Sequence, residues 1–409
     1  MYEYTPSHKM DDVHSDIRGP IFVEANRLEA QGAKILKLNT GNPATFGFQM
    51  PPSVRKALLD NVDKAVGYCD MKGMPSARSA IYDYHVSKSL ANCSMEDIFI
   101  GNGVSEVAWM AITALLDPGD EVLIPMPSYS LWTNLTVMSS AKPVLYRCDE
   151  QSSWYPDISD IRGKITPKTR VMLIINPNNP TGAVYPREIL EQMIDIAREH
   201  HLIILSDEIY DRLVMDDLHH DSTAALAPDH PVITFNGLSK SHIICGFRCG
   251  WMILSGPESF RKSAGAAIQK IAAMRLCGNA LTQLVIPAAL EDFESTRAML
   301  VPGGRLYEQR EATCRALDQI DGISYVKNHA AFYMFPKIDA QRFHIRSDKQ
   351  FAMDVLHNTH VLFIPGSGFD WPDPDHFRLV MLPEPELLYT SLLKIGKFLE
   401  TYTQGEITI

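Results

Sequence analysis

The sequence predicts an α/β fold: a large domain with a mainly parallel mixed sheet flanked by helices, and a smaller α+β domain formed from both chain ends. Three observations predict it. Between about Asp97 and Leu254 short apolar runs alternate with helix-like ones, the pattern of βαβ units. Several of those runs are apolar almost throughout, as strands covered on both faces are. At 409 residues, the chain exceeds the size at which a single core stops growing, so two domains are the default.

The N-terminal flank holds one helix candidate, "PIFVEANRLEAQG", then a Gly/Pro-rich passage, "LNTGNPATFGF". "DIFIGNGVSE" runs into "VAWMAITALLD", where Val107, Met110, Ala111 and Ala114 follow helical spacing. "EVLIPMP", "KPVLYRC", "RVMLIIN", "HLIILSDE", "VITFNG" and "CGWMILS" are the further strand candidates, and "REILEQMIDIAREH" is helix-like. After about residue 296 come a long helix candidate, "RLYEQREATCRALDQI", and the hairpin-like "ISYVKNHAAFYMFPKI". "VLFIPGSGF", "HFRLVML" and an amphipathic final segment, "EPELLYTSLLKIGKFLETY", complete the chain. These shifts divide it into a large cofactor-sized domain over 50–295 and a small domain from 1–49 and 296–409.

Bulk properties exclude several functions. A net charge of −11 argues against a phosphate-backbone binder. No apolar stretch approaches the roughly 20 residues that cross a bilayer, and the polar N-terminus lacks a secretory h-region. Seven scattered cysteines suit a reducing compartment better than a disulfide frame. The expectation is a soluble, acidic, cytoplasmic protein.

In sheets of this kind ligands gather at the carboxyl ends of the strands, and those ends carry chemistry. "HLIILSDE" finishes in Asp207, an acid that burial obliges to find a partner. "VITFNGLSK" finishes in Lys240. Gly103, Val104 and Ser105 open a helix, where free N–H groups favour an anion, and Arg248 adds a fixed positive charge. A lysine, a buried acid, a phosphate cradle and an arginine together describe the partners of pyridoxal 5′-phosphate. Each alone is weak, since an acid after a strand is often a turn residue and a lone lysine usually a solvated charge. The ordered set is not.

The order "NPNNPTG", "SDEIY", "NGLSK", "GFRCGW" resembles the class I aminotransferases of the pyridoxal-phosphate fold-type I superfamily, over nearly the whole chain. "DIRGP", "GYCDMKG", "GNGVSE", "NPNNPTGAVY" and "GGRLYEQR" resemble most closely the bacterial alanine aminotransferases that use glutamate and pyruvate. The resemblance implies that Lys240 holds the cofactor as a Schiff base and later shuttles the proton, and that Asp207 pairs with the pyridine nitrogen. It implies that Tyr210 and Asn179 bond the phenolic oxygen, the task of the proline-braced loop Asn176 to Tyr185. Tyr129 would stack on the ring, and Gly103, Val104, Ser105, Ser239 and Arg248 would hold the phosphate. Tyr68 would reach the phosphate of a neighbouring subunit, which implies a homodimer. Gly41, Asn179 and Arg378 would border or grip the substrate, Arg378 by two parallel hydrogen bonds to its carboxylate.

One further substrate residue comes from reasoning on both substrates together. A pocket that accepts alanine and glutamate needs a second cation for the distal carboxylate, and Arg18, aimed by the following Gly-Pro, is the candidate. A salt bridge to Asp16 is the plainer alternative. The adjacent pairs His200-His201 and His219-His220 do not share a face, and no metal site is expected. Cys245 and Cys249 read as small packing residues, Trp109 and Met110 as core, and Glu208 as solvent-facing or structural. The chain departs from its relatives at Gly237, where a serine or threonine is common, at His242-Ile243, and at Ser15.

The expected activity is amino transfer between a small neutral amino acid, alanine first, and 2-oxoglutarate by a ping-pong mechanism. A transaminase for another neutral or specialised substrate and a pyridoxal-phosphate C–S lyase are the enzyme alternatives. A ligand-sensing regulator on the same scaffold is the third, but the first 25 residues offer no room for a basic DNA-binding domain.

Overall fold

The computed structural model describes residues 5–14 and 18–405. Its centre is an eight-stranded sheet. In spatial order the strands are Ile98–Asn102, Cys249–Ser255, Val232–Gly237, Ile203–Asp207, Thr169–Ile175, Glu121–Met126, Lys142–Asp149 and Tyr155–Pro156. Cys249–Ser255 runs antiparallel to both its neighbours, and Tyr155–Pro156 runs antiparallel to Lys142–Asp149. All other pairings are parallel. Seven of these strands are the apolar runs of the sequence, and the mixed, mainly parallel α/β fold is as predicted.

Burial explains why the runs are oily throughout. Every residue of Ile203–Asp207, Val232–Gly237 and Cys249–Ser255 is buried. Along Thr169–Ile175, Val171, Leu173 and Ile175 face one core while Met172 and Ile174 face the other, the two-residue period of a covered strand. The helix Val104–Leu115 buries Val107, Met110 and Ala111 against the sheet. Trp109, expected in the core, points outward and is 39 % exposed, because it lies off that face.

The chain ends meet. Leu36–Lys37 pairs in parallel with Val361–Leu362, and Tyr333–Met334 pairs with Phe377–Val380. Helices Arg305–Leu317 and Pro385–Leu399 pack over a separate core that includes Phe332, Phe351, Phe363, Phe377 and Leu379. Ile323–Ser324 and Lys337–Ile338 form the outer edge of the expected hairpin. Among the described residues no helix is long and apolar enough to cross a membrane.

Candidate active site

Parallel strands deliver their carboxyl ends to one edge, and a cavity of about 940 Å³ opens there. Its floor comes from the ends of Glu121–Met126 (Tyr129), Thr169–Ile175 (Asn179), Ile203–Asp207 (Asp207, Tyr210) and Val232–Gly237 (Ser239, Lys240). Its other wall comes from the two chain ends: Arg18, Gly41, Tyr333 and Arg378. Gly103 takes φ +84° as the N-cap of the helix that Val104 and Ser105 begin. A Cβ there would collide with the Arg248 guanidinium, so only glycine lets the two approach. Arg248 donates to the carbonyls of Cys245 (2.8 Å) and, more distantly, Asn102 (3.5 Å), which aims it at the helix start.

Asp207 is 5 % exposed, and burial pushes its carboxyl up to about 6. The Trp132 indole N–H and the Ile209 backbone N–H donate to it at 3.1 and 3.2 Å. Among the described residues no cation contacts it. Arg378, 2 % exposed, is the reverse case: a buried cation without an acid among the described residues. Its guanidinium lies between the rings of Tyr333 and Phe369, 4.5 and 4.6 Å from their centroids. It donates to Asn179 Oδ1 (3.1 Å) and the Asn39 carbonyl (2.5 Å), and its Nε has no partner among the described residues. Burying isolated charges of either sign is costly. An anion acceptor and a cation acceptor across one cavity fit a pyridinium cofactor that carries a phosphate, and a substrate that carries a carboxylate.

Lys240 is half-buried and donates to the Gly41 carbonyl at 3.3 Å. Tyr210 is buried, its hydroxyl 3.2 Å from that of Tyr333. The loop around Asn179 holds itself: Asn178 Oδ1 accepts from the backbone and hydroxyl of Thr181, and Asn176 Oδ1 accepts from the Tyr185 N–H. At Gly182, φ +68°, a Cβ would strike the Ala330 carbonyl. That stiffness presents Asn179 to Arg378, a contact the sequence reading did not foresee.

With this geometry in place, comparison is informative. The family described as aminotransferase class I and II matches residues 33–390. The chain is a class I/II aminotransferase. Such enzymes work through pyridoxal 5′-phosphate, which the paired, uncompensated charges of this cavity fit. The chain is 50 % identical to glutamate-pyruvate aminotransferase AlaA of Escherichia coli (strain K12) over 398 residues, 97 % of this chain and 98 % of that protein. It is 45 % identical over 402 residues to an alanine aminotransferase of Mycobacterium tuberculosis (strain ATCC 25618 / H37Rv), covering 98 % and 94 % of the two. A crystal structure of an aminotransferase from Escherichia coli superposes with a TM-score of 0.97, at 49 % identity over 99 % of this chain and 100 % of the other.

The cavity gathers Arg18, Gly41, Val104, Ser105, Tyr129, Asn179, Asp207, Tyr210, Ser239, Lys240, Arg248 and Arg378. Tyr68 stands apart from it, 84 % exposed. Ser15 and Asp16 lie outside the described residues, and with them the alternative salt bridge of Arg18. Glu208 is fully buried, which removes the solvent-facing reading. Cys249 is packed as expected, but Cys245 borders the cavity with its thiol 3.3 Å from Asn42 Oδ1. Gly237 has no room for a side chain, since a Cβ would meet the Cys249 carbonyl and Gly250 Cα. His242 is buried between Ser241 Oγ (2.8 Å) and the Ala289 carbonyl (2.6 Å), and burial lowers its imidazole to about 4. That departure braces the loop after Lys240. Two residues went unsignalled: Trp132, three residues after Tyr129, and Tyr333, the polar member of the oily "AAFYMF".

Proposed function

We propose that the enzyme moves an amino group between alanine and 2-oxoglutarate in two half-reactions at one site, and that it works as a cytoplasmic homodimer. The observation that carries the amino-acid reading is Arg378, a buried guanidinium facing the cavity that holds Lys240, with no acid and no partner for its Nε among the described residues. Alanine and glutamate are the substrates that the names of its relatives from Escherichia coli and Mycobacterium tuberculosis favour. The exposed Tyr68, with Val66, Met274 and Leu276 also exposed, supports a partner subunit covering that face. We divide the chain at 50 and 295, between the large domain and the two ends that form the small one.

Pyridoxal 5′-phosphate supplies an electron sink for the pair left when the substrate Cα–H bond breaks. Arg378 takes the substrate carboxylate by parallel N–H donors and so fixes which Cα bond is activated. Lys240 Nζ, steadied by the Gly41 carbonyl, takes the proton and returns it. Asp207 stays ionised to face the cationic ring nitrogen, with Trp132 and Ile209 fixing its carboxylate. Asn179 and Tyr210 would serve the phenolic oxygen, and Tyr129 would cover the ring. Val104, Ser105, Ser239 and Arg248 hold the phosphate, with Gly103 allowing the close approach.

A panel of amino donors against pyruvate and 2-oxoglutarate tests this. Alanine with 2-oxoglutarate is expected to give the highest kcat/KM. A different neutral donor leading by tenfold or more refutes the alanine assignment. Release of ammonia and a thiol from cysteine-like substrates, without amino transfer, makes the enzyme a lyase.

A further inference from the structure

The turn Gly366–Phe369, with the Asp370 that ends it, joins the two walls of the cavity. The strand leading into the turn pairs Ile364 with Arg378. The Phe369 ring is fully buried and lies 4.6 Å from the Arg378 guanidinium. Its carbonyl accepts from the Ser128 N–H at 3.0 Å, and Asp370 Oδ2 accepts from the Thr133 hydroxyl at 2.7 Å. Between Ser128 and Thr133 in sequence stand Tyr129, which lines the cavity, and Trp132, which donates to Asp207.

The turn is also held firmly on its own side. The Gly366 N–H donates to the His376 carbonyl at 2.8 Å, and the Ser367 N–H donates to Asp348 Oδ2 at 2.7 Å. A turn that served only its own core would bond inward or face water. This one carries a carbonyl and a carboxylate to the opposite wall while its ring backs Arg378. A hydroxyl donating to a carboxylate makes a strong bond, and a buried guanidinium gains from an aromatic face.

We propose that Phe369 and Asp370 are positioning residues: they tie Arg378 to the segment Ser128 to Thr133, so that carboxylate grip and ring cover keep one spacing. This rests on the reading of Arg378 as carboxylate grip and Tyr129 as ring cover.

Asp370→Ala removes the acceptor for Thr133, and Asp370→Asn keeps one. In the full chain freed of cofactor, hydrogen–deuterium exchange of the amides from Ser128 to Thr133 reads whether the segment is held. Asp370→Ala and Thr133→Val each speed it about tenfold, the worth of one hydrogen bond, and the double variant goes no further. Asp370→Asn stays within about twofold, since its amide oxygen still accepts. In the loaded enzyme, propionate, a carboxylate with no amino group, reads the grip alone through the cofactor absorbance. Phe369→Leu raises its Kd about tenfold, the worth of a desolvated cation–ring contact. Asp370→Ala leaves that Kd within about threefold but lowers kcat for alanine about tenfold, because the substrate sits displaced from the ring. A merely structural loosening would move Kd and kcat together. Unchanged exchange in Asp370→Ala, additive effects in the double variant, or an unchanged propionate Kd in Phe369→Leu overturns the proposal. So does an Asp370→Asn variant as impaired as Asp370→Ala. If the wild-type enzyme neither transaminates nor binds propionate, the functional reading fails, while the exchange rates still decide whether the turn holds the segment.

Discussion

Two carboxyls stand side by side at the end of the strand Ile203–Asp207, and they face opposite surroundings. Glu208 turns into the protein. Ser206 Oγ, Ser222 Oγ and the Thr223 N–H donate to it at 3.1, 2.9 and 3.1 Å, and the Lys88 ammonium is 3.5 Å away. Lys88 also bonds Asp211 at 2.8 Å, where Asn236 and Tyr84 add further donors. Burial alone would push Asp211 up, but Lys88 holds it well below the usual range. Asp207, one residue earlier, turns to the cavity, and among the described residues no cation contacts it. On the inner side the fold supplies Lys88, which holds Asp211 down although burial still pushes Glu208 up, and the outer charges are left for ligands. A group whose charge the protein does not balance is where function resides.

Substitutions at four positions break or sharpen that contrast. The largest effect belongs to Lys240→Ala, which removes the proposed proton carrier. Turnover should fall by roughly 10³-fold or more while the thermal melt of the cofactor-free chain hardly moves. A rate near wild type would show that another group carries the proton.

Asp207→Ala comes next, with a rise of about 3–4 kcal/mol in the barrier for kcat/KM, as for other fixed charges in dry sites. Its effect on stability has the opposite sign. Burial pushes the folded carboxyl up to about 6, against 3.8 for an ordinary aspartate. Between those values the folded chain keeps a proton that the unfolded chain has lost. Stability of the cofactor-free chain therefore falls as pH rises from 4 to 6, by at most about 3 kcal/mol. Asp207→Asn should lack that fall in urea titrations across the window. A parallel pH dependence in both proteins would mean the acid is solvated.

On the inner side, Lys88→Met leaves Glu208 and Asp211 buried without their cation. The expected cost is about 3 kcal/mol of unfolding free energy, with any change in kcat smaller than that for Asp207→Ala. A variant as stable as wild type would dissolve the contrast between the two carboxyls. Arg18→Ala carries the smallest effect. It should weaken glutamate and 2-oxoglutarate relative to alanine and pyruvate by about 1.5–3 kcal/mol in kcat/KM. Equal losses for both pairs would make Arg18 a structural part of the entrance.

The outer charges were legible in the sequence because strand ends announce themselves: an oily run that finishes in Asp207 or precedes Lys240 has one place to put the polar group. The strands were legible for the same reason, apart from the two-residue Tyr155–Pro156, too short to show a period. What burial does to a neighbour was not legible. Glu208 follows Asp207 by one position, and whether it meets water depends on Lys88, Ser222 and Thr223, all distant in sequence. Trp132 and Tyr333 were hidden because an aromatic in an apolar setting reads as packing until its polar end is seen to have a partner. Asn179 was assigned to cofactor and substrate from resemblance, and its contact with Arg378 is a tertiary fact.

The pairing of the chain ends has a consequence for the order in which the site comes into being. The Arg378 guanidinium bonds a carbonyl 339 residues earlier, at Asn39, while Lys240 bonds Gly41 across 199. Contacts this distant in sequence form late, because the closure entropy of the loop precedes any reward. A ribosome releases Asp207 and Lys240 long before Arg378. The nascent chain can therefore complete its large sheet with the lysine in place and still lack the guanidinium proposed to seat an amino acid.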